Sequence, residues 1–201
     1  DNNDRAQRIR HPEYHEIQII TSKIKTTSDP NAFAGQVWHS DQSYSTVPAK
    51  ATLLHALQVP TIGGDTMVAN MYLAYDALSE GMKAMLGPLK GVNTSAKADV
   101  SKTREDRLKT DAREGERKDY TSEHPVVRTH PETGEKTLYL SPRFTIGIEG
   151  LPEAEADSIL DELFAHQIGP EFVYRHAWRD GDLVVWDNRA VIHRATGGFS
   201  Y

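Results

Sequence analysis

Residues 38–41 read Trp-His-Ser-Asp, which sets an imidazole and a carboxylate two positions apart. On a strand or at its end, side chains two apart point to the same side, so His39 and Asp41 can converge on one ion. A third ligand has to come from elsewhere in the chain. His193 is the best candidate, in the run WDNRAVIHR that follows the strand-like DLVVWD. Two imidazoles and one carboxylate on one face of an octahedron leave the opposite face open, the arrangement of non-haem Fe(II) oxygenases. Zinc accepts the same donors, usually in a tetrahedral site with one open position, so a zinc hydrolase or lyase is the competing chemistry. An H-x-D pair also occurs as a surface histidine beside a turn-capping aspartate, which would leave a non-catalytic binding barrel.

The remaining histidines read differently. His55 lies in an apolar run and reads as a structural histidine satisfied within a strand, while His124, His130, His166 and His176 read as structural or exposed. Trp38 and Trp186 flank the ligand motifs and are expected in the core, fixing the loops that carry the ligands. Asp187 and Asn188 form a turn after the strand, where a contact to the ligands is one reading.

The elements that must position these groups follow from pattern. The chain has 201 residues, 38% hydrophobic, with net charge −6 and no cysteine. That composition supports a buried core and excludes disulfides, zinc ribbons, iron–sulfur clusters and thiol catalysis. No basic stripe favours nucleic acid, and no apolar run is long enough to span a bilayer. A cytoplasmic location fits. The patterns predict strands at 16–21, 36–39, 52–59, 66–69, 126–129, 137–140, 172–178, 182–186 and 190–195. Asn70 and Ser79 are placed to cap two short helices, and an amphipathic helix over 152–167 presents Ile159, Leu160, Leu163, Phe164 and Ile168 on one face. Between 97 and 119, 15 of 23 residues are charged, which predicts a solvated loop or mobile lid. Few helices intervene between strands, so an antiparallel barrel or sandwich is expected rather than a parallel sheet.

Three stretches carry a resemblance beyond these local signals. WHSDQSYSTVPAKATLLHALQVPTIGGDTMVANMYLAYDAL, HPVVRTHPETGEKTLYLSPRF and PEFVYRHAWRDGDLVVWDNRAVIHRA, in that order, span much of 36–195. They resemble the TauD/TfdA family, which contains taurine dioxygenase and 2,4-dichlorophenoxyacetate dioxygenase. The resemblance implies a mostly β fold, a double-stranded β-helix or jelly roll with flanking helices. It implies Fe(II), with 2-oxoglutarate and O2 as cosubstrates, and hydroxylation of a small anionic substrate with succinate and CO2 as coproducts. His39, Asp41 and His193 match the iron ligands, and Thr66, in GGDT, matches the threonine that hydrogen-bonds 2-oxoglutarate. The family's arginine for that cosubstrate matches a position past Tyr201; Arg189 and Arg194 are nearby but not at the matching place. Residues 1–201 accordingly read as one domain lacking N-terminal and C-terminal parts.

The same comparison bears on the substrate. Phe144, in SPRF, matches a substrate-pocket aromatic, and Gln42 and Tyr44 follow the first ligand pair where the taurine member has small apolar and aromatic side chains. Gly35 stands where taurine dioxygenase has asparagine, and His11 and Tyr14 align only loosely with its sulfonate-binding pair. Taurine, another alkylsulfonate, a sulfate ester and an aryloxyalkanoate all remain open as substrates. A dimer or tetramer is open too, whereas nucleic acid and membrane are not expected as partners.

Overall fold

The computed structural model describes residues 11–14, 17–20, 35–97 and 119–198. Ten strands are paired there: β1 (Ala51–His55), β2 (Thr66–Asn70), β3 (Lys90–Thr94), β4 (Thr121–Pro125), β5 (Val127–Thr129), β6 (Lys136–Leu138), β7 (Thr145–Ile148), β8 (Val173–His176), β9 (Leu183–Asp187) and β10 (Val191–Ala195). Three α-helices accompany them: α1 (Met71–Asp76), α2 (Glu80–Leu86) and α3 (Glu153–His166). Every pairing is antiparallel, in four small sheets ordered β1-β9, β10-β2-β8, β4-β3-β7 and β5-β6. The expected antiparallel β architecture with flanking helices is therefore present. No helix among the described residues is long and apolar enough to cross a membrane.

Both short helices start where their caps predict. Asn70 Oδ1 accepts from the amides of Tyr72 (2.9 Å) and Leu73 (3.2 Å), and Ser79 Oγ accepts from Met82 N (3.2 Å). Helix α3 carries Glu153 and Glu155 in its first turn and His166 in its last, matching the helix dipole. Its buried stripe is Ala156, Leu160 and Leu163, with Ile159 and Phe164 half-buried against the core. Ile168 lies beyond the helix and is 38% exposed, so it does not belong to that face as expected. The core gathers these residues with Trp38, Met71, Leu86, Val126, Leu138, Leu140, Phe172 and Ile192. Each fully buried aliphatic side chain of this kind contributes roughly 1.5–3 kcal/mol.

Several expectations need correction. Over 36–39 there is no strand but a single antiparallel bridge at His39, and residues 17–20 hold no strand. The 52–59 strand stops at His55. Strand β1 turns Thr52 and Leu54 inward while Ala51, Leu53 and His55 face out, so His55 is exposed rather than a satisfied core histidine. The sheet β4-β3-β7 was not predicted at all. Two of its strands are polar (KGVNT and TSEHP) and the third (TIGI) is short, yet Asn93, Thr94, Ser122, His124 and Thr145 are buried. They satisfy one another and the loops: Thr145 Oγ1 donates to Asn93 Oδ1 (2.9 Å) and Ser122 Oγ to the Ser43 carbonyl (2.9 Å). The predicted lid over 97–119 lies outside the described residues except at its ends.

Candidate metal centre

The site is built on one backbone pairing. His39 N donates to His193 O (2.9 Å) and His193 N to His39 O (2.8 Å), the two-bond exchange of a directly opposed antiparallel pair. Side chains so paired share one face, and the imidazole centroids lie 4.3 Å apart. His193 sits in β10, whose partner β2 sets Thr66 opposite Ala195, so Thr66 belongs to the same face as His193. Asp41 is carried by the turn that leaves the bridge rather than by a strand, and Gln42 turns the chain with φ +56°. The carboxylate nevertheless returns to the imidazoles: Asp41 Oδ1 is 3.6 Å from His39 Nε2 and 3.8 Å from His193 Nε2. One donor atom from each of the three residues falls within 4.8 Å of the other two.

The donor set fits a cation. His39 Nδ1 donates to the Val37 carbonyl (2.7 Å), which fixes the tautomer and leaves the Nε2 lone pair facing Asp41. An imidazole lone pair and a carboxylate oxygen facing each other, without a proton between them, repel unless a positive ion joins them. Burial keeps both rings neutral. It pushes the pKa of His39 down, and it lowers that of His193 from 6.5 to about 4, aided by His39 and opposed by Asp41.

This has a measurable consequence for the metal-free protein. As pH falls from 6.5 to about 4, the unfolded chain takes up a proton at His193 before the folded chain does, and the lowered pKa of His39 acts in the same direction. Stability present above that window is therefore lost through it. The melting temperature without metal should be lower at pH 5 than at pH 7, and His193→Gln should flatten the slope. An unchanged slope in that variant would show that His193 is not held neutral.

The surroundings are apolar and aromatic. Trp38 and Trp186 are both buried; the Trp186 ring lies 4.6 Å from His193, and the Arg194 guanidinium 5.6 Å over Trp38. Phe144, also buried, meets His39 edge-on at 6.0 Å and Tyr44 at 5.0 Å, with the Arg143 guanidinium 5.4 Å from its ring. Gly35, at φ +80°, packs against the metal face: a Cβ there would sit 3.7 Å from His39 Cε1. Thr66 Oγ1 accepts from Trp178 Nε1 (3.0 Å), which leaves its own proton to donate. Gln42 is exposed. His11 and Tyr14 form a local exposed turn in which His11 Nδ1 accepts from the Glu13 and Tyr14 amides (both 3.2 Å). Arg189 is engaged by Asp187, through Nε to Oδ1 at 2.9 Å, and by Glu132.

Four other histidines are structural. His124 Nε2 is 2.9 Å from the Ser45 carbonyl, His130 Nε2 3.2 Å from Asp187, His166 Nε2 2.7 Å from the Ala74 carbonyl and His176 Nε2 3.1 Å from Asp182. Sequence reasoning did not single out Thr52 and Trp178, which touch Asp41 and Thr66 respectively. Thr52 points inward in a strand of alternating exposure, but the residues of that strand, ATLLH, do not alternate polar with apolar and gave no signal of it.

A family model described as "Taurine catabolism dioxygenase TauD, TfdA family" matches residues 3–201. The chain belongs to this family. Among TauD/TfdA relatives, the alpha-ketoglutarate-dependent 2,4-dichlorophenoxyacetate dioxygenase of Cupriavidus pinatubonensis is 37% identical over 198 residues, covering 96% of this chain and 67% of that protein. The alpha-ketoglutarate-dependent sulfate ester dioxygenase of Pseudomonas putida is 34% identical over 173 residues, covering 81% and 54%. The crystal structure of AAD-2 in complex with Mn(II) and N-oxalylglycine superposes with TM-score 0.69 at 35% identity, covering 82% of this chain and 55% of that one. The chain spans between 46% and 67% of the length of these and similar curated relatives.

Proposed function

We propose that the chain forms the metal-binding core of an Fe(II)- and 2-oxoglutarate-dependent dioxygenase that hydroxylates a small anionic organic substrate. The observation that carries this reading is the convergence of His39, His193 and Asp41, with one donor atom of each within 4.8 Å of the other two and Asp41 Oδ1 beside both Nε2 atoms, on a face that also bears Thr66. These three residues would hold the ion, and the metal, when bound, supplies oxidation by O2 coupled to decarboxylation of 2-oxoglutarate. The chain's own residues do the rest. Thr66 donates its hydroxyl proton to a carboxylate of the cosubstrate, its oxygen held by Trp178. Trp38 and Trp186 keep water from behind the imidazoles. Phe144 and Tyr44 offer an aromatic wall to the substrate, and the Arg143 guanidinium beside it favours an anion.

Taurine, another alkylsulfonate, a sulfate ester and an aryloxyalkanoate share the required charge. The aromatic pair beside the metal face and the absence of a side chain at Gly35 favour the aryloxyalkanoate. Oxygen uptake and succinate release with Fe(II), 2-oxoglutarate and a panel of these four classes test the reading. Turnover is expected to need both iron and 2-oxoglutarate and to be fastest with an aryloxyalkanoate. Bound zinc with no oxygen consumption across the panel would replace the reading with a hydrolase or lyase.

A further inference from the structure

Asp41 has two carboxylate oxygens, and the structure treats them differently. Oδ1 faces both imidazoles, whereas Oδ2 accepts from Thr52 Oγ1 at 2.6 Å. Thr52 Oγ1 in turn accepts from Asn188 Nδ2 (2.9 Å), and Asn188 Oδ1 accepts from Trp186 Nε1 (3.1 Å). The direction of this chain is settled at its far end. An indole N–H can only donate, so the amide must present its oxygen to Trp186 and its NH2 to Thr52. An amide NH2 also only donates, so the Thr52 hydroxyl must send its proton onward, to Asp41 Oδ2. The scaffold under the relay is rigid. Thr52 and Trp186 are register partners across β1 and β9, and Asn188 is fully buried with its backbone bonded to Ser40 Oγ (2.6 Å) and to the Lys50 carbonyl (3.0 Å).

We propose that Thr52, oriented by Asn188 and Trp186, is a positioning residue that occupies Asp41 Oδ2 and so restricts the carboxylate to one ligating oxygen. The inference rests on the metal-centre reading above. A carboxylate free to rotate can ligate through both oxygens and take up a coordination position that a chelating cosubstrate needs. Donation to Oδ2 removes that freedom and holds Oδ1 on the imidazole side.

Co(II), which does not turn over with oxygen as Fe(II) does, is the probe. Calorimetric titration gives its affinity for the protein, and the visible d–d absorption reports its coordination. Thr52→Val keeps the side-chain shape and removes the donor. It should weaken Co(II) binding about tenfold or more and change the absorption band, with the protein still folded by circular dichroism. Thr52→Ser restores the hydroxyl and should return both readouts to within a few-fold of the parent. If Thr52→Val does not fold, Thr52→Ala serves in its place against the same serine control. Parent-like Co(II) affinity and spectrum in the valine or alanine variant would overturn the proposal. So would a serine variant as impaired as the valine one, because the methyl group rather than the hydroxyl would then matter. Failure of the parent protein itself to bind Co(II) strikes instead at the metal-centre reading.

Discussion

Asp41→Ala is expected to reduce 2-oxoglutarate turnover to background while leaving the fold intact. Asp41 supplies the negative charge of the triad, facing two imidazoles that burial keeps neutral. Removing a group that merely supports a ligand typically lowers metal affinity 10–100-fold, and removing the anionic ligand itself should exceed that. The barrel core does not depend on it: the residue lies on a turn, and among the described residues its one hydrogen-bonded side-chain partner is Thr52. Mn(II) affinity, succinate release and the thermal melt should be followed together. Asp41→Asn, which keeps the shape and loses the charge, should fail almost as completely. Near-parent turnover in either variant would refute the role of the carboxylate.

Thr66→Val should raise the KM for 2-oxoglutarate roughly ten- to hundredfold, with a smaller change in kcat, and Thr66→Ser should stay close to the parent. A hydrogen bond to a charged acceptor contributes about 1.5–3 kcal/mol, which sets this range. The direction of the bond comes from Trp178: its indole N–H occupies an oxygen lone pair of Thr66, so the remaining proton is available to an incoming carboxylate. The register of β2 on β10 turns that hydroxyl toward the face of His193. Steady-state kinetics with 2-oxoglutarate as the varied substrate separate the two constants. A KM unchanged in the valine variant would remove Thr66 from the cosubstrate's reach.

What could be read from sequence followed from how local each signal was. Asn70 and Ser79 cap the helices they were expected to cap, because capping is settled within three residues. Strand β10 and its histidine were legible because VIHRA is apolar and short, and β2 because TMVAN opens on a glycine turn. The polar sheet β4-β3-β7 was not, since Asn93, Ser122 and Thr145 are buried by bonds to residues far along the chain. No propensity or periodicity reports a partner of that kind. The positions of His39, Asp41 and His193 were legible, but not the means of their approach: a single bridge and a turn stand where a strand was expected. The contact of Asn188 with Thr52 was invisible for the same reason, as the two residues meet only through folding.

The backbone bridge between His39 and His193 makes strand register and ion geometry one variable. A slip of one residue in that pairing would turn one imidazole to the opposite side of the sheet. The bridge also closes a very long loop, as the neighbouring bond from Ser40 to Asn188 joins residues 148 apart. Contacts of such separation are costly in chain entropy and tend to form late in folding. Nothing can hold a cation until His39 and His193 have met. Its effect should therefore fall on the lifetime of the closed protein rather than on the speed of closing, in the manner of a latch.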